Sequence, residues 1–282
     1  MFSAGSRVLH TATQFTNAPV HFSQVTVVVP EFWTDLACNE SVTVPTGNTL
    51  YKHVDMEISN QGARHVVQGA ECGQPGHVIK FPVTHLLDVH KQKVLGNILV
   101  SEWSKYRYGV YQESGYAGDS LYPNYYYNEN QVVPTGPSNT LLTGSWRFEN
   151  SSVGCDPTLK GSKCHYHVEG PNNGLKCSIN AHPELESVTH WCDQKVSSGP
   201  SVQSVLCQGR SVTHLISEHS DFASYSGLGS EPTEHVPPVL LPQVKFAVVR
   251  VPQPKYVLVI ETSARMVGVW QWVRKAIVNL IR

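Results

Sequence analysis

The sequence predicts a mixed α/β fold with a cysteine-containing loop and helix segment behind it, and three observations carry that prediction. Alternating and apolar runs bounded by Pro and Gly come first, and a run with helical spacing follows them. Five of the seven cysteines then crowd into a polar stretch rich in Gly, Asn and Ser, from Cys155 to Cys207, the composition of a disulfide-stapled extracellular segment. The 282 residues are 40% apolar, enough for an ordinary core in one large domain or two smaller ones. With 21 basic against 22 acidic residues the net charge is -1, which gives no global attraction to nucleic acid or to an anionic membrane. No apolar run approaches the roughly 20 residues of a membrane span. The N-terminus lacks the basic segment and apolar core of a secretory signal.

Taken in order, "VHFSQVTVVVPEFW" runs apolar up to Pro30 and reads as a buried strand ended by proline. "HVDMEIS" alternates Val54, Met56 and Ile58 on one face, and "HVIKFP" reads as a third strand. "HLLDVHKQKVLGNILVSEWSKYRYG" switches to helical spacing, with Leu95, Ile98, Leu99, Trp103 and Tyr106 along one side. From Tyr116 to Lys176 periodicity fades and the composition is that of loops. "HPELESVTHWCDQ" recovers helical spacing through Leu185, Val188 and Trp191, and residues 231–254 form a proline-rich stretch expected to be an extended linker. The last segment, from Lys255, reads as an apolar strand, a Thr/Ser turn and an amphipathic helix carrying Val269, Trp270, Val273, Ile277 and Leu280 on one face. One strand cannot make a parallel sheet, so a second domain is expected to be cut short by the chain end.

The helix around Glu102 carries the sharpest functional signal. In His-Glu-x-x-His zinc peptidases two histidines one turn apart hold the metal and the intervening glutamate is the general base. Here those positions are Ser101, Glu102 and Lys105. A hydroxyl is a poor zinc ligand, and the Lys105 ammonium puts positive charge where the cation would sit. The plainer reading is an amphipathic helix with a surface Glu102–Lys105 pair, contributing about 0.2–0.5 kcal/mol if exposed.

The surrounding text favours the first frame. "LVSEWSKYRYGVYQESGY" resembles the "VHEWAHLRWGVFDEYN" signature of the calcium-activated chloride channel regulator family, with Val100, Glu102, Trp103, Arg107, Gly109, Val110 and Glu113 retained. "VTVVVPEFW", "AECGQPGHVIKF", and "LESVTHWCDQ" followed by "VLCQGRSVTHLISEHSDF" are similar to further family motifs in the family's order. The resemblance covers nearly the whole chain. It implies a zincin-like metalloprotease-type domain over 1–120 without its first strand and helix, and a cysteine-containing extension over 121–230. It also implies the linker over 231–254 and the start of a Rossmann-like von Willebrand factor A domain over 255–282. Family members resemble secreted, self-cleaving zinc proteases that modulate a calcium-activated chloride channel.

The third zinc ligand implied by the resemblance falls on Gln112, so all three ligand positions, Ser101, Lys105 and Gln112, are degenerate. Glu102 is then vestigial, since the metal is what lowers a bound water's pKa to about 7. The Mg or Ca site of the second domain is degraded in the same way. Its D-x-S-x-S start corresponds to Glu261, Ser263 and Arg265, and Arg265 places a permanent charge beside the cation's position. No cofactor is expected.

"CDPTLKGSKCHYHVEG" puts Cys155 and Cys164 beside His165 and His167, with Cys177 following. This is a zinc cluster in a cytosolic protein and a set of disulfides in a secreted one. Disulfides are preferred among Cys155, Cys164, Cys177, Cys192, Cys207 and Cys72. Cys192–Cys207 is the first pairing expected, because the two flank a short Ser-rich loop, and the resemblance leaves Cys38 over, since the matching family stretch has no cysteine that aligns with it. Asn39 and Asn150 head two glycosylation sequons. His85 and His90 read as surface or packing residues. Together these features predict a secreted or extracellular protein, its beginning missing here, that acts by binding another extracellular or membrane protein, such as a chloride channel. The alternatives are an active zinc peptidase with non-standard ligands around Glu102, and structural zinc at the Cys/His cluster.

Overall fold

The computed structural model describes residues 1–16, 19–30, 42–43, 54–69, 71–87, 94–149, 151–169, 174–193, 199–223, 243–251 and 268–281. They fall into two compact units, Met1–Thr26 with Leu50–Ala247, and Val27–Thr49 with Val248–Arg282. Asn39, Cys38, His90, Asn150, Glu261, Ser263 and Arg265 lie outside the described residues.

The larger unit opens on helix α1 (Phe2–Ala12), which sequence reading did not pick out. Its buried face is Gly5, Ser6, Leu9 and Ala12, helical spacing written largely in small residues, so the apolar signal is faint. It packs on the long helix α3 (Leu95–Tyr108). The approach is close enough that a Cβ on Gly96 would come within 2.9 Å of the Ala4 carbonyl carbon.

The strands before α3 form a three-stranded sheet in the order β3-β5-β4, made of β3 (Met56–Ser59), β4 (His65–Val67) and β5 (Val78–Pro82). Central β5 pairs in parallel with β3, Ile79 opposite Met56, and antiparallel with β4, Ile79 opposite Val66. Ile79 and Phe81 point to one side and are fully buried. They meet Val94, Leu95 and Ile98 from the start of α3, and the short helix α2 (Val83–Leu87) follows β5 directly. The other side of α3 gives Leu99, Val100 and Tyr108 to a second cluster with Leu175, Ile179, Val188, Trp191, Val212 and Ile216. The segment after residue 120 therefore shares the core of the helix.

That segment is more ordered than its composition implied. Strands β6 (Tyr125–Asn128) and β7 (Gln131–Pro134) form a hairpin closed by Glu129 and Asn130, both with positive φ. Strands β8 (Gly144–Phe148) and β9 (Cys164–Val168) form a second antiparallel pair. The helix expected over 182–194 does not form among the described residues of that stretch, 182–193. Val188 and Trp191 are buried as anticipated, but within irregular backbone held from outside. The Asn97 side-chain amide donates to the carbonyls of Leu185 and Val188, at 3.0 and 2.8 Å, and the Lys176 carbonyl accepts from the amides of Thr189 and His190. Apolar spacing was right and the conformation was decided by partners far away in sequence. Among the described residues three short helices follow, α4 (Val202–Leu206), α5 (Val212–Ser217) and α6 (Ser220–Ala223).

A second three-stranded sheet has the order β1-β10-β2, from β1 (Gln24–Pro30), β2 (Val42–Thr43) and β10 (Lys245–Val251). Strand β10 pairs in parallel with β2, Val248 opposite Val42. Two expectations change here. Strand β1 ends at Pro30 as read, yet it is an edge strand whose Val27 is 40% exposed. The linker expected over 231–254 contains β10, which occupies the proline-free run between Pro242 and Pro252, where backbone donors are available for pairing. The chain ends on helix α7 (Trp270–Ile281), with Trp270 and Trp272 exposed. Among the described residues no helix is long and apolar enough to cross a membrane.

Candidate functional site

Helix α3 ends at Gly109, in the left-handed conformation with φ 62°. A side chain there would be strained, and its Cβ would lie 2.2 Å from the Gln74 carbonyl oxygen. The turn at 71–76 supplies what the helix end lacks. The Gly76 amide donates to the Tyr106 carbonyl at 2.7 Å, and the Gly73 amide to the Gly109 carbonyl at 2.9 Å. The chain then doubles back along α3, bringing Gln112 beside Lys105.

Two of the three positions expected from the sequence to be degenerate zinc ligands, Lys105 and Gln112, thus meet. Lys105 Nζ donates to Gln112 Oε1 at 2.6 Å and sits 3.2 Å from Glu102 Oε1. Arg64, just before β4, donates its Nε to the same Glu102 oxygen at 3.0 Å. Gln112 is oriented through its amide, which donates to Ser114 Oγ at 2.7 Å and to the Asn180 carbonyl at 2.6 Å. Ser101, Glu102 and Lys105 are all buried, so the surface ion pair of the plainer reading is replaced by an interior one. Burial lowers the Lys105 ammonium below its ordinary value, and Glu102 partly restores it. Ser101 Oγ and Glu102 Oε2 have no hydrogen-bond partner among the described residues.

This donor set does not fit Zn²⁺. A cation is already built in, because the Lys105 ammonium lies between Glu102 and Gln112, and Arg64 adds a second positive group to the one carboxylate. Arg64 left no trace in the sequence, since it belongs to a turn 38 residues away from Glu102. No group of three His, Cys, Asp or Glu with metal-binding geometry occurs among the described residues.

Behind this cluster lies a buried polar layer that sequence reading also missed. The Asn180 side-chain oxygen accepts from Ser104 Oγ at 3.1 Å and from Trp191 Nε1 at 3.2 Å. Glu113, next to Gln112, accepts from Ser178 Oγ and is 5% exposed. Burial pushes its carboxyl up to about 7, against the lowering effects of Ser178 and Lys105. At the far end of α3, Arg107 makes a two-point pair with Asp221 at the start of α6. This pair holds the Asp221 carboxyl below its usual range.

The six described cysteines form three disulfides, Cys72–Cys207, Cys155–Cys164 and Cys177–Cys192. The expected Cys192–Cys207 pair is therefore wrong: Cys207 is fully buried against the turn that caps α3, and Cys192 lies beside Cys177, where residues 177 and 190 bridge. The zinc reading of the Cys/His cluster falls with this, since Cys155 and Cys164 are bonded to each other and Cys177 to Cys192. His85 packs edge-on against Phe81.

Comparison with known proteins agrees with the family resemblance. The family model described as calcium-activated chloride channel N terminal matches residues 1–229. Calcium-activated chloride channel regulator 1 of Bos taurus is 26% identical over 272 residues, covering 89% of this chain and 28% of that protein. Regulator 4 of Homo sapiens is 25% identical over 265 residues, 88% of this chain and 27% of the relative. Regulator 2 of Mus musculus is 26% identical over 220 residues, 73% and 22% respectively. The chain thus spans little more than a quarter of the length of the curated relatives it matches. No solved structure gives a significant match.

Proposed function

Because the chain belongs to the calcium-activated chloride channel regulator family, we propose that it is a non-catalytic, pseudo-metalloprotease member that acts outside the cell by binding another protein. Its effect would be on calcium-activated chloride conductance, and its C-terminal segment would be the beginning of a von Willebrand factor A domain with a degraded cation site. The observation that carries this reading is the position of Lys105. Its ammonium bridges Glu102 and Gln112 inside the protein, so in this reading a protein-borne cation takes the place of the catalytic metal and pairs with one oxygen of the glutamate that would otherwise act on water. What the helix keeps is its packing on two sides and its role as a scaffold.

The test is zinc content per chain, measured by elemental mass spectrometry on oxidised, secreted protein purified without chelating resin. The expected value is near zero. A value near one that vanishes in Glu102→Gln would mean the site recruits a metal and the scaffold reading is wrong. In the combined variant Ser101→His, Lys105→His and Gln112→Asp, with Arg64→Ala added to relieve the second positive charge, zinc binding should rise toward one. Failure to gain metal would count against placing Gln112 as the third position.

A further inference from the structure

A recess of about 50 Å³ is lined by Glu113, Asp193, Ser201, Gln203, Ser204, Arg210 and their neighbours. The most buried charged residue of that lining is Glu113, 5% exposed. Oε2 accepts from Ser178 Oγ, and Oε1 has no hydrogen-bond partner among the described residues. Lys105 acts on Glu113 only at a distance, and no ion pair of the Glu113 carboxyl occurs among the described residues. Gln203 is fully committed, accepting from the Tyr111 amide and donating to the Arg210 carbonyl. Ser201 accepts from the Ser204 amide, and its own hydroxyl proton goes to no described residue. The rim carries both signs. Asp193 is exposed, and Arg210, whose side chain is 42% exposed, makes among the described residues a bond from Nε to the Cys207 carbonyl and a 3.9 Å contact with Glu218.

We propose that this recess binds a primary ammonium group next to a carbonyl, the head of a free amino acid or of a peptide amino terminus. The ammonium would go to Glu113, with Ser201 beside it, and the carbonyl oxygen to Arg210 at the rim. The volume admits little more than such a head, so any side chain would project outward. A simple metal cation is disfavoured by the Arg210 guanidinium in the lining, and an anion by the two carboxylates.

The experiment titrates methylammonium, glycinamide and glycine into the oxidised full chain at about pH 7.5, above the Glu113 value and below that of an α-amino group. Amide NMR shifts of Ser201 and Ser204 are followed. Saturable binding in the millimolar range is expected for so few heavy atoms, with glycinamide tighter than methylammonium. Glu113→Gln, which keeps the Ser178 bond, should weaken every probe at least tenfold. Arg210→Ala should weaken glycinamide and leave methylammonium within about twofold. Glycinamide favoured over glycine assigns a peptide terminus, and equal binding assigns a free amino acid. No saturation by any probe, binding unchanged in Glu113→Gln, or displacement of methylammonium by equimolar sodium would overturn the assignment.

Discussion

Replacing Glu102 by Gln separates a scaffold from an enzyme by the sign of a stability change. In the folded protein Glu102 is 2% exposed and takes two cationic donors on one oxygen, Lys105 at 3.2 Å and Arg64 at 3.0 Å. Losing one member of a buried pair costs about 3–5 kcal/mol, because the remaining charge stays desolvated. Two features pull the value to the low end: the Arg64 side chain is 24% exposed and can turn to water, and Lys105, already lowered by burial, can shed its proton. A loss of about 3 kcal/mol follows, which for a unit of this size lowers Tm by roughly 6–12 °C. Circular dichroism melts of both proteins measure it. The Glu102→Leu, Lys105→Met double variant should recover part of the loss, because it removes both charges together. A glutamate kept for catalysis behaves in the opposite way, its replacement leaving stability unchanged or raised. A Glu102→Gln melt within about 1 °C of the parent would refute the argument, since it corresponds to a surface pair of about 0.2–0.5 kcal/mol.

Further outcomes follow from the same contacts. Peptide mapping without reduction should recover a Cys72–Cys207 crosslink. Its closed loop, with a sequence separation of 135, makes Cys72→Ser with Cys207→Ser the costliest disulfide deletion, at about 5 kcal/mol in the chain-entropy model; a Cys192–Cys207 peptide would contradict the fold. Gly109→Ala should destabilise by more than about 1 kcal/mol in urea unfolding, because the new Cβ meets the Gln74 carbonyl as well as the left-handed φ. Glu113, raised from 4.5 to about 7, binds its proton more tightly in the folded state. Its contribution is therefore fully present below about pH 4.5 and is lost as pH rises through about 7. Glu113→Gln should gain roughly 3 kcal/mol over the parent between pH 4.5 and pH 8, measured as the difference in urea midpoints; a pH-independent difference would mean the carboxyl is not held as described.

Local signals in the chain were enough for much of this protein. Alternation and proline placement gave strands β1, β3 and β5, 3.6-residue spacing gave α3 and α7, and crowded cysteines in polar text gave disulfides. The residue types at 101, 105 and 112 already spoke against a zinc site, because ligand chemistry is a property of the side chain alone. Which groups meet was decided only by tertiary structure. Arg64 reaches Glu102 because the β3–β4 turn folds over α3, and Gln112 reaches Lys105 because Gly109 reverses the chain. Cys207 pairs with Cys72 across a span of 135 residues that loop length alone would disfavour. The stretch 182–194 shows the same division. Its apolar periodicity fixed which residues are buried, while Asn97 and the Lys176 carbonyl fixed their backbone, since buried peptide groups take whichever partners the surrounding fold presents.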